Sequence, residues 1–285
     1  MRLATWNVNS AKVRLPRLLD WLDQRAPDVV CLQETKLPDA EFDAVFATEL
    51  AARGYGYAHY GEGRWNGVAI LSRVGLQDVV RDFPGEPGFP EPAGAPEARA
   101  LSATCAGVRF WSLYVPNGRT PDDPHFVYKL AWLRALTEAV SVTPVADTVL
   151  TGDMNIAPTD ADVWDPAKFG SSTHVTPQER AELAALGKLG LVDVVRRRWP
   201  EERVFTYWDY RAGAFHQDLG MRIDLVLAGA AVTDRVRAVW VDRQARKGSG
   251  PSDHAPVMVD LDTAPDGDLG PVVPPPSAPR RPAKK

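Results

Sequence analysis

The feature that most constrains this chain is a set of polar side chains that stand at the ends of apolar, strand-like runs. Asp153 and Asn155 follow the run Thr148–Leu150, which predicts a buried strand. Gly152 is expected to let the backbone turn there, so that the acid and the amide leave the strand end on the same side. Asp and Asn after a strand often only make a turn, so this cluster alone decides nothing.

The same arrangement recurs in four other places along the chain. Asn7 and Glu34 follow strand-like runs, and Asp253 with His254 stands just before one. Asp224 lies inside an apolar run, where a charge is costly unless a partner or a metal ion binds it. Five such clusters are hard to explain as turns, and they predict a single site to which distant segments contribute.

Length, net charge and cysteine content limit the number of domains and the class of protein that this chain can be. The 285 residues allow one large domain or two small ones, and polar clusters at both ends of the chain favour one. The formal net charge of −4 lowers the expectation of a nucleic-acid partner without excluding it, because positive charge can be concentrated on one face. Cys31 and Cys105 lie in apolar runs and are expected to be buried free thiols. No signal peptide and no membrane-spanning run is recognised, so a cytoplasmic protein without a membrane partner is expected.

Apolar periodicity and capping signals predict strands and helices in both halves of the chain. The expected helices are Val13–Arg25, Phe42–Arg53, Pro124–Val142, one that begins at the capping box of Thr176, and Leu191–Trp199. The expected strands are Val29–Leu32, Tyr55–Tyr60, Val68–Ser72, Leu101–Cys105, Val108–Tyr114, Arg222–Leu227, Val236–Val241 and Val257–Leu261. This pattern suits two packed sheets with helices outside them.

Charged residues on the expected helices and at the C-terminal end of the chain are not expected to belong to the predicted site. Lys129, Arg134 and the run Arg196–Arg198 are expected to be solvated on their helices. From residue 263 the chain is rich in Pro, Gly and Ala and ends in basic residues, which predicts a disordered tail over 263–285. The folded domain is therefore expected to cover residues 1–262.

Seven short motifs give the chain a resemblance to a known family. They are WNVN (6–9), LQETK (32–36), NGVAILS (66–72), YVPNG (114–118), GDMNIAPTD (152–160), RID (222–224) and SDHAP (252–256). On these motifs the chain resembles the exonuclease III or class II abasic-site endonuclease family, within the DNase I-like endonuclease/exonuclease/phosphatase superfamily. The resemblance implies an α/β (α+β) fold, a four-layer α/β/β/α sandwich of two packed mixed β-sheets flanked by helices, with the active site at one edge.

The resemblance also implies roles for the polar clusters. The implied catalytic residues are Tyr114, Asp153, Asn155, Asp224 and His254. The implied metal-site residues are Asn7, Glu34, Asp153, Asn155 and Asp253, with carboxylate oxygens that suit Mg²⁺. Asp153, helped by Asn155, would orient and deprotonate the attacking water, and His254 would contact the scissile phosphate. Asp224 would pair with His254 and raise its pKa, and the Tyr114 hydroxyl would donate to the phosphate or the leaving group.

Simpler explanations stay open for several of these residues. Glu34 could only form a salt bridge with Lys36, and an Asp–His pair often just caps a strand. The resemblance further implies contacts with DNA for Arg64, Trp65, Asn66, Asn117, Tyr207, Trp208 and Met221. The last three would wall a pocket for a flipped-out abasic sugar, although a residue as large as Trp208 is commonly a core residue.

The function implied by the resemblance is that of a Mg²⁺-dependent DNA repair nuclease, in which Mn²⁺ can substitute. It would act as a monomer on double-stranded DNA, cutting 5′ of abasic sites, degrading duplex DNA from 3′ to 5′, and removing blocked 3′ ends. One alternative keeps the fold but moves the activity to an RNA, lipid or inositol phosphoester. A second alternative is a DNA-binding protein without catalysis, which would have lost ligands that this chain retains.

Overall fold

Two mixed β-sheets packed face to face form the centre of the fold in the computed structural model, which describes residues 1–90 and 94–263. The strands are β1 (Arg2–Asn7), β2 (Val29–Gln33), β3 (Gly56–Tyr60), β4 (Val68–Ser72), β5 (Gln77–Arg81), β6 (Ala100–Cys105), β7 (Val108–Tyr114), β8 (Thr148–Asp153), β9 (Val192–Asp193), β10 (Asp224–Ala228), β11 (Val236–Val241) and β12 (Val257–Leu261). Within the described residues the first sheet has the order β11-β12-β1-β2-β4-β3 and the second the order β5-β6-β7-β8-β10-β9. Each sheet has a parallel pair at its centre, β1 with β2 and β7 with β8.

The described helices are α1 (Ala11–Arg25), α2 (Asp39–Ala52), α3 (Pro124–Ser141), α4 (Pro166–Phe169), α5 (Pro177–Lys188), α6 (Val194–Arg198), α7 (Ala214–Gln217) and α8 (Ala230–Thr233), with 3₁₀ turns at Asp160–Asp162, Arg211–Gly213 and Arg243–Arg246. The four longest cover the outer faces of the sheets, α1 and α2 on the first and α3 and α5 on the second. The predicted capping box of α5 is present, because Thr176 and Glu179 each accept from the other's backbone nitrogen. Among the described residues no helix combines the length and the apolar character needed to cross a membrane.

Alternation along the strands explains the layers. In β1, Leu3 points into the core between the sheets, whereas Ala4 and Trp6 point into a second core under α1 and α2. In the other sheet, Val149 joins the core between the sheets, and Leu150 joins a third core under α3 and α5. The expected four-layer α/β/β/α sandwich is thereby confirmed.

Most predicted elements are present, and the exceptions have physical reasons. Strand β5 was not predicted, because all five of its residues are exposed and it lies at the edge of its sheet, where no apolar alternation is required. The predicted helix Leu191–Trp199 begins only at Val194, after the two-residue strand β9. The predicted tail lies outside the described residues apart from Thr263.

Gly152 serves a different purpose from the predicted turn. It lies inside β8 with a φ of +145°, and a Cβ at this position would overlap the backbone carbonyl of Leu113 on the parallel neighbour β7. Glycine is therefore required by close approach of two main chains rather than by a change of direction. The strand continues to Asp153, which fixes this carboxylate more rigidly than a turn would.

The prediction of a solvated side chain is wrong for two of these charged residues. Lys129 has no exposed side-chain surface and pairs with Glu179, and Arg196 pairs with the buried Asp162. Arg134, in contrast, is largely exposed as predicted. The error arises because helical periodicity identifies a polar face without revealing whether another helix covers it.

Candidate active site

The predicted polar clusters meet at one edge of the two sheets. Asn7 ends β1, and Glu34 directly follows β2, its parallel neighbour. In the second sheet Asp153 ends β8 and lies in register with Tyr114 at the end of β7 and with Asp224 at the start of β10. Carboxyl ends of parallel strands lie at the same edge of a sheet, which explains how segments far apart in sequence deliver side chains to one place.

Asn7 links the carboxylates that come from different sheets. Its side-chain nitrogen donates to Glu34 Oε1 at 2.8 Å and to Asp153 Oδ2 at 2.9 Å. Its side-chain oxygen accepts from the backbone nitrogen of Asn9 at 3.0 Å, and its backbone oxygen accepts from Ser252 Oγ at 2.7 Å. Both ends of the buried amide are therefore fixed, which holds the two carboxylates at a set separation.

Asn155 is held just beside Asp153. Its backbone nitrogen donates to Asp153 Oδ1 at 2.9 Å, with Asn155 in the left-handed region at a φ of +50°. Its side-chain nitrogen donates to the backbone oxygen of Val115 at 2.9 Å, and its side-chain oxygen accepts from Asn117 at 3.2 Å. Asn is among the residues that tolerate this backbone region, so the residue type suits the position.

Glu34 occupies a conformation that is unusual for its residue type. Its φ is +52°, in the left-handed region, and such outliers concentrate at functional sites. The predicted salt bridge is present, with Lys36 Nζ at 2.7 Å from Glu34 Oε2. Burial alone would raise the pKa of Glu34, but Lys36 and Asn7 lower it below its ordinary value, so the carboxylate stays charged. The salt bridge therefore exists alongside the contact with Asn7 and does not replace it.

Asp224 and His254 form a buried pair next to Asp153. His254 Nδ1 lies 2.8 Å from Asp224 Oδ2, and His254 Nε2 lies 3.8 Å from Asp153 Oδ2. Thr206 Oγ1 fixes Asp224 by accepting from its backbone nitrogen at 3.1 Å, and Trp6 Nε1 donates to the backbone oxygen of His254 at 3.1 Å. The imidazole thus lies between two carboxylates, and its hydrogen bond to Asp224 orients it.

Burial and neighbouring charges shift the pKa values of His254 and Asp153 strongly. Although burial disfavours the imidazolium, Asp224 and then Asp153 raise the pKa of His254 to about 10, so this side chain carries a positive charge at neutral pH. Burial, opposed by the charge of His254, raises the pKa of Asp153 to about 7, and the negative charges of Asp224 and Glu34 add to this. Perturbed carboxyl and imidazole groups of this kind are typical of catalytic sites.

The hydroxyl of Tyr114 completes the polar group. Burial, followed by the charges of Glu34 and Asp153, raises the pKa of Tyr114 well above its ordinary value. The guanidinium of Arg99 lies 4.9 Å from the centre of the Tyr114 ring. Tyr114 therefore remains a neutral donor at the end of β7, in register with Asp153.

Three residues offer ligand atoms for a metal ion. The atoms, one each from Glu34, Asp153 and His254, all lie within 4.8 Å of one another. His254 is engaged with Asp224 through Nδ1, whereas the two carboxylates offer hard oxygen donors of the kind that suits Mg²⁺. Crowding of negative charge at Asp153 also fits a cation at this place, because a cation would relieve it.

Asp253 lies outside that donor set, although the sequence had predicted it near the metal. Its Oδ1 accepts from Asn9 Nδ2 at 3.1 Å and lies 3.4 Å from Ser252 Oγ. Asn9 in turn accepts from Lys36 Nζ at 2.6 Å. Asp253 therefore joins a surrounding network that reaches Glu34 through Lys36.

A groove of about 950 Å³ opens beside Tyr114 and Asn117. Arg64 and Trp65 lie on one side of it, and the Trp65 side chain is 68% exposed. An exposed indole beside a cation suits a nucleic-acid contact better than a packing role. Asn66 differs from these two, since it is buried and donates to Glu62 Oε1 at 2.5 Å.

The three residues that were predicted to wall a pocket for an abasic sugar have two different environments. Tyr207 and Met221 pair through reciprocal backbone hydrogen bonds of 2.9 Å and pack in one small cluster, and the Tyr207 ring centre lies 4.9 Å from that of His254. Trp208 has no exposed surface and belongs to the core between the sheets. Its placement in the pocket wall is therefore corrected to a packing role, because successive residues of an extended segment point to opposite sides.

Two residues beside the site escaped the sequence reasoning. His174, at a φ of +82°, donates from Nδ1 to the backbone oxygen of Asn155 at 2.6 Å. Lys129 Nζ donates to the same oxygen at 2.7 Å. A histidine two residues before a capping box was a signal for the first of them, but nothing in the periodicity of α3 pointed to the second.

Two packed mixed sheets with a Glu–Asp–His cluster at one edge define a protein of the four-layer α/β/β/α class whose site suits metal-assisted hydrolysis. The profile of the Endonuclease/Exonuclease/phosphatase family matches residues 4–254, and the chain belongs to this family. The chain is accordingly an enzyme, a phosphodiester hydrolase.

Relatives with solved structures or assigned activities match nearly the whole chain. The 3′-phosphatase NExo from Neisseria, bound to a product DNA hairpin, is 40% identical with a TM-score of 0.86, and the match covers 92% of this chain and 100% of NExo. An AP endonuclease from Archaeoglobus fulgidus is 33% identical with a TM-score of 0.85, again over 92% and 100% of the two chains. Exodeoxyribonuclease III from Haemophilus influenzae is 28% identical over 92% of this chain and 100% of its own.

Proposed function

We propose that this protein is a metal-dependent DNA repair nuclease that hydrolyses phosphoesters at the 3′ ends of duplex DNA and on the 5′ side of abasic sites. Stepwise 3′→5′ degradation of duplex DNA belongs to the same activity. The relatives named above, a 3′-phosphatase, an AP endonuclease and exodeoxyribonuclease III, support a DNA repair nuclease. Mg²⁺ is the proposed ion, with Mn²⁺ as a substitute, and the proposed working form is a cytoplasmic monomer.

The observation that carries the proposal is the arrangement around Asp153. Its buried carboxylate lies 3.8 Å from Nε2 of His254, and Asn7 links it by hydrogen bonds to a second carboxylate, that of Glu34. Hydrolysis of a phosphoester needs a group that takes a proton from water and positive charge for the phosphorus oxygens. Both are present within a few ångströms, on elements that the two sheets hold rigid.

The side chains of the site can each be given a part in this reaction. Asp153 orients the attacking water and takes its proton, while Asn7 and Asn155 fix its two oxygens. His254, kept protonated by Asp224, donates to a phosphorus oxygen and offsets the charge that develops there. Tyr114, which remains protonated, donates to the phosphate or to the leaving oxygen.

Glu34 and Asp153 would hold the metal ion. When bound, Mg²⁺ supplies positive charge that stabilises the phosphorus oxygens and the leaving alkoxide. Neutral Asn7 between the two carboxylates keeps them apart without adding charge. The ion and the imidazolium together would offset the three carboxylates of Glu34, Asp153 and Asp224.

The groove beside Tyr114 provides a path for the nucleic-acid strand. Arg64 offers positive charge and Trp65 an exposed aromatic face, and both are suited to backbone and base contacts. Tyr207, whose ring centre lies 4.9 Å from that of His254, packs with Met221 into an apolar wall against which a sugar without a base could lie.

A substrate panel tests the proposal. Single-turnover rates should be measured with Mg²⁺ on a duplex hairpin carrying a 3′-phosphate, a duplex with an internal abasic-site analogue, an RNA hairpin with a 3′-phosphate, and an inositol phosphate. Release of phosphate from the DNA hairpin and incision at the abasic analogue, both far faster than reaction of the last two, are expected. Faster turnover of the RNA or inositol substrate would contradict the proposal and move the activity to another phosphoester.

A further inference from the structure

A buried ion pair lies behind the active site, between α3 and α5. Lys129 Nζ lies 2.5 Å from Glu179 Oε1, and neither side chain has any exposed surface. Joining two helices in this way is expensive, because replacing a buried ion pair by apolar side chains is often neutral or stabilising. Helix packing alone therefore does not account for the pair.

The lysine has a second partner, and it belongs to the active site. Lys129 Nζ donates to the backbone oxygen of Asn155 at 2.7 Å. Asn155 is the residue in the left-handed region whose backbone nitrogen donates to Asp153 Oδ1. The ammonium group thus fixes the main chain at the residue that orients the Asp153 carboxylate.

Glu179 orders the loop that carries a second donor to the backbone oxygen of Asn155. Glu179 Oε1 accepts from Thr173 Oγ1 and from the backbone nitrogen of His174, each at 2.9 Å. Its Oε2 accepts from the backbone nitrogen and the hydroxyl of Thr176 at 3.1 and 2.7 Å. The loop ordered in this way presents His174 Nδ1 to the Asn155 oxygen at 2.6 Å. Both donors to this oxygen therefore depend on Glu179.

We propose that Lys129 and Glu179 are positioning residues that hold the Asn155 carbonyl and thereby keep the Asp153 carboxylate in its working orientation. This inference rests on the proposed function, in which Asp153 acts on the attacking water. Neither residue is exposed, so neither can touch the substrate. Loss of the pair should therefore lower the rate of the chemical step and leave the affinity for DNA unchanged.

The test uses a neutral double variant, Lys129→Met with Glu179→Gln, which leaves no buried charge without a partner. The matched control is Arg134→Met with Glu182→Gln, because Arg134 Nε lies 2.7 Å from Glu182 Oε1 and joins the same two helices at the surface. In the full-length protein, the buried double variant should cleave the 3′-phosphate hairpin about 10- to 100-fold more slowly in single turnover. Its dissociation constant for that DNA and its melting temperature should match those of the control, and the control should keep the native rate.

Other outcomes overturn the inference. A rate within about threefold of native would show that the pair does not act on Asp153, since displacement of a catalytic group costs more than this. A loss that only follows a lowered melting temperature, or a variant that does not fold, would make the pair a packing element. If the native protein cleaves none of the DNA substrates, the proposed function fails separately. A crystal structure of the buried double variant then decides the inference, which requires a changed backbone at Asn155, and an unchanged φ there would overturn it.

Discussion

Replacing Trp208 by alanine should lower stability strongly and change substrate choice little. The indole has no exposed surface, lies in the core between the sheets, and donates to Asp218 Oδ1 at 3.1 Å. It also packs edge-on against Phe215 at 5.2 Å and under Arg243 at 4.7 Å. Truncating so large a buried side chain costs about 3–5 kcal/mol, a large part of the 5–15 kcal/mol that typically holds a protein folded. The midpoint of thermal unfolding should fall by roughly 10 °C.

Tyr207→Ala is the matched change at the neighbouring position. This ring is partly exposed and faces His254, so its loss should cost little stability but open the apolar wall beside the site. The assay combines a melting curve with single-turnover rates on an abasic duplex, an intact duplex and a 3′-phosphate hairpin. Tyr207→Ala should reduce the preference for the abasic duplex over the intact one, whereas Trp208→Ala should lower all three rates together. A Trp208→Ala protein that melts normally yet loses this preference would refute the reasoning.

Three further changes test separate parts of the site. Glu34→Gln should raise the Mg²⁺ concentration that gives half the maximal rate, because one hard anionic ligand is lost, and an unchanged requirement in a metal titration would place the ion elsewhere. Asp224→Asn and His254→Asn should each lower kcat, and the double variant should lose little more than either, because the two act as one unit; a double-mutant cycle with additive losses would separate them. Gly152→Ala should lower the free energy of unfolding by more than about 1 kcal/mol, since its Cβ would overlap the Leu113 carbonyl, and a native-like urea titration would contradict this.

The residues of the site that the sequence predicted are those that lie at the ends of strands. Asp153, Glu34 and Asp224 each belong to an apolar run whose type and end are readable, and the edge of a sheet then brings them together. That Asp224 needs a partner or a metal ion followed from the cost of an unpaired charge in an apolar run, and its pairing with His254 was implied by the family resemblance. Local chemistry identified these residues, and the resemblance supplied their partners.

The parts that were missed depend on contacts between elements. Lys129 looks like a solvated residue of an amphipathic helix until α5 covers it with Glu179. Trp208 and Tyr207 are adjacent aromatic residues, and only the packing of the surrounding loops decides which of them points into the core. Strand β5 shows no apolar alternation, because its residues are all exposed. Tertiary packing determines each of these, and a single sequence does not record it.

The central claim is that Asp153 takes a proton from the attacking water beside a metal ion that is held by the carboxylates of Glu34 and Asp153. Its most direct test is single-turnover cleavage of a duplex hairpin with a 3′-phosphate by the native protein and by Asp153→Asn, each with Mg²⁺ and with chelator, alongside the dissociation constant for the hairpin. The native rate should vanish with chelator and return with Mg²⁺, and Asp153→Asn should be slower by about two to four orders of magnitude while it binds DNA at least as tightly. A chelated native protein that cleaves at full rate, or an Asp153→Asn protein with the native rate, would contradict the claim.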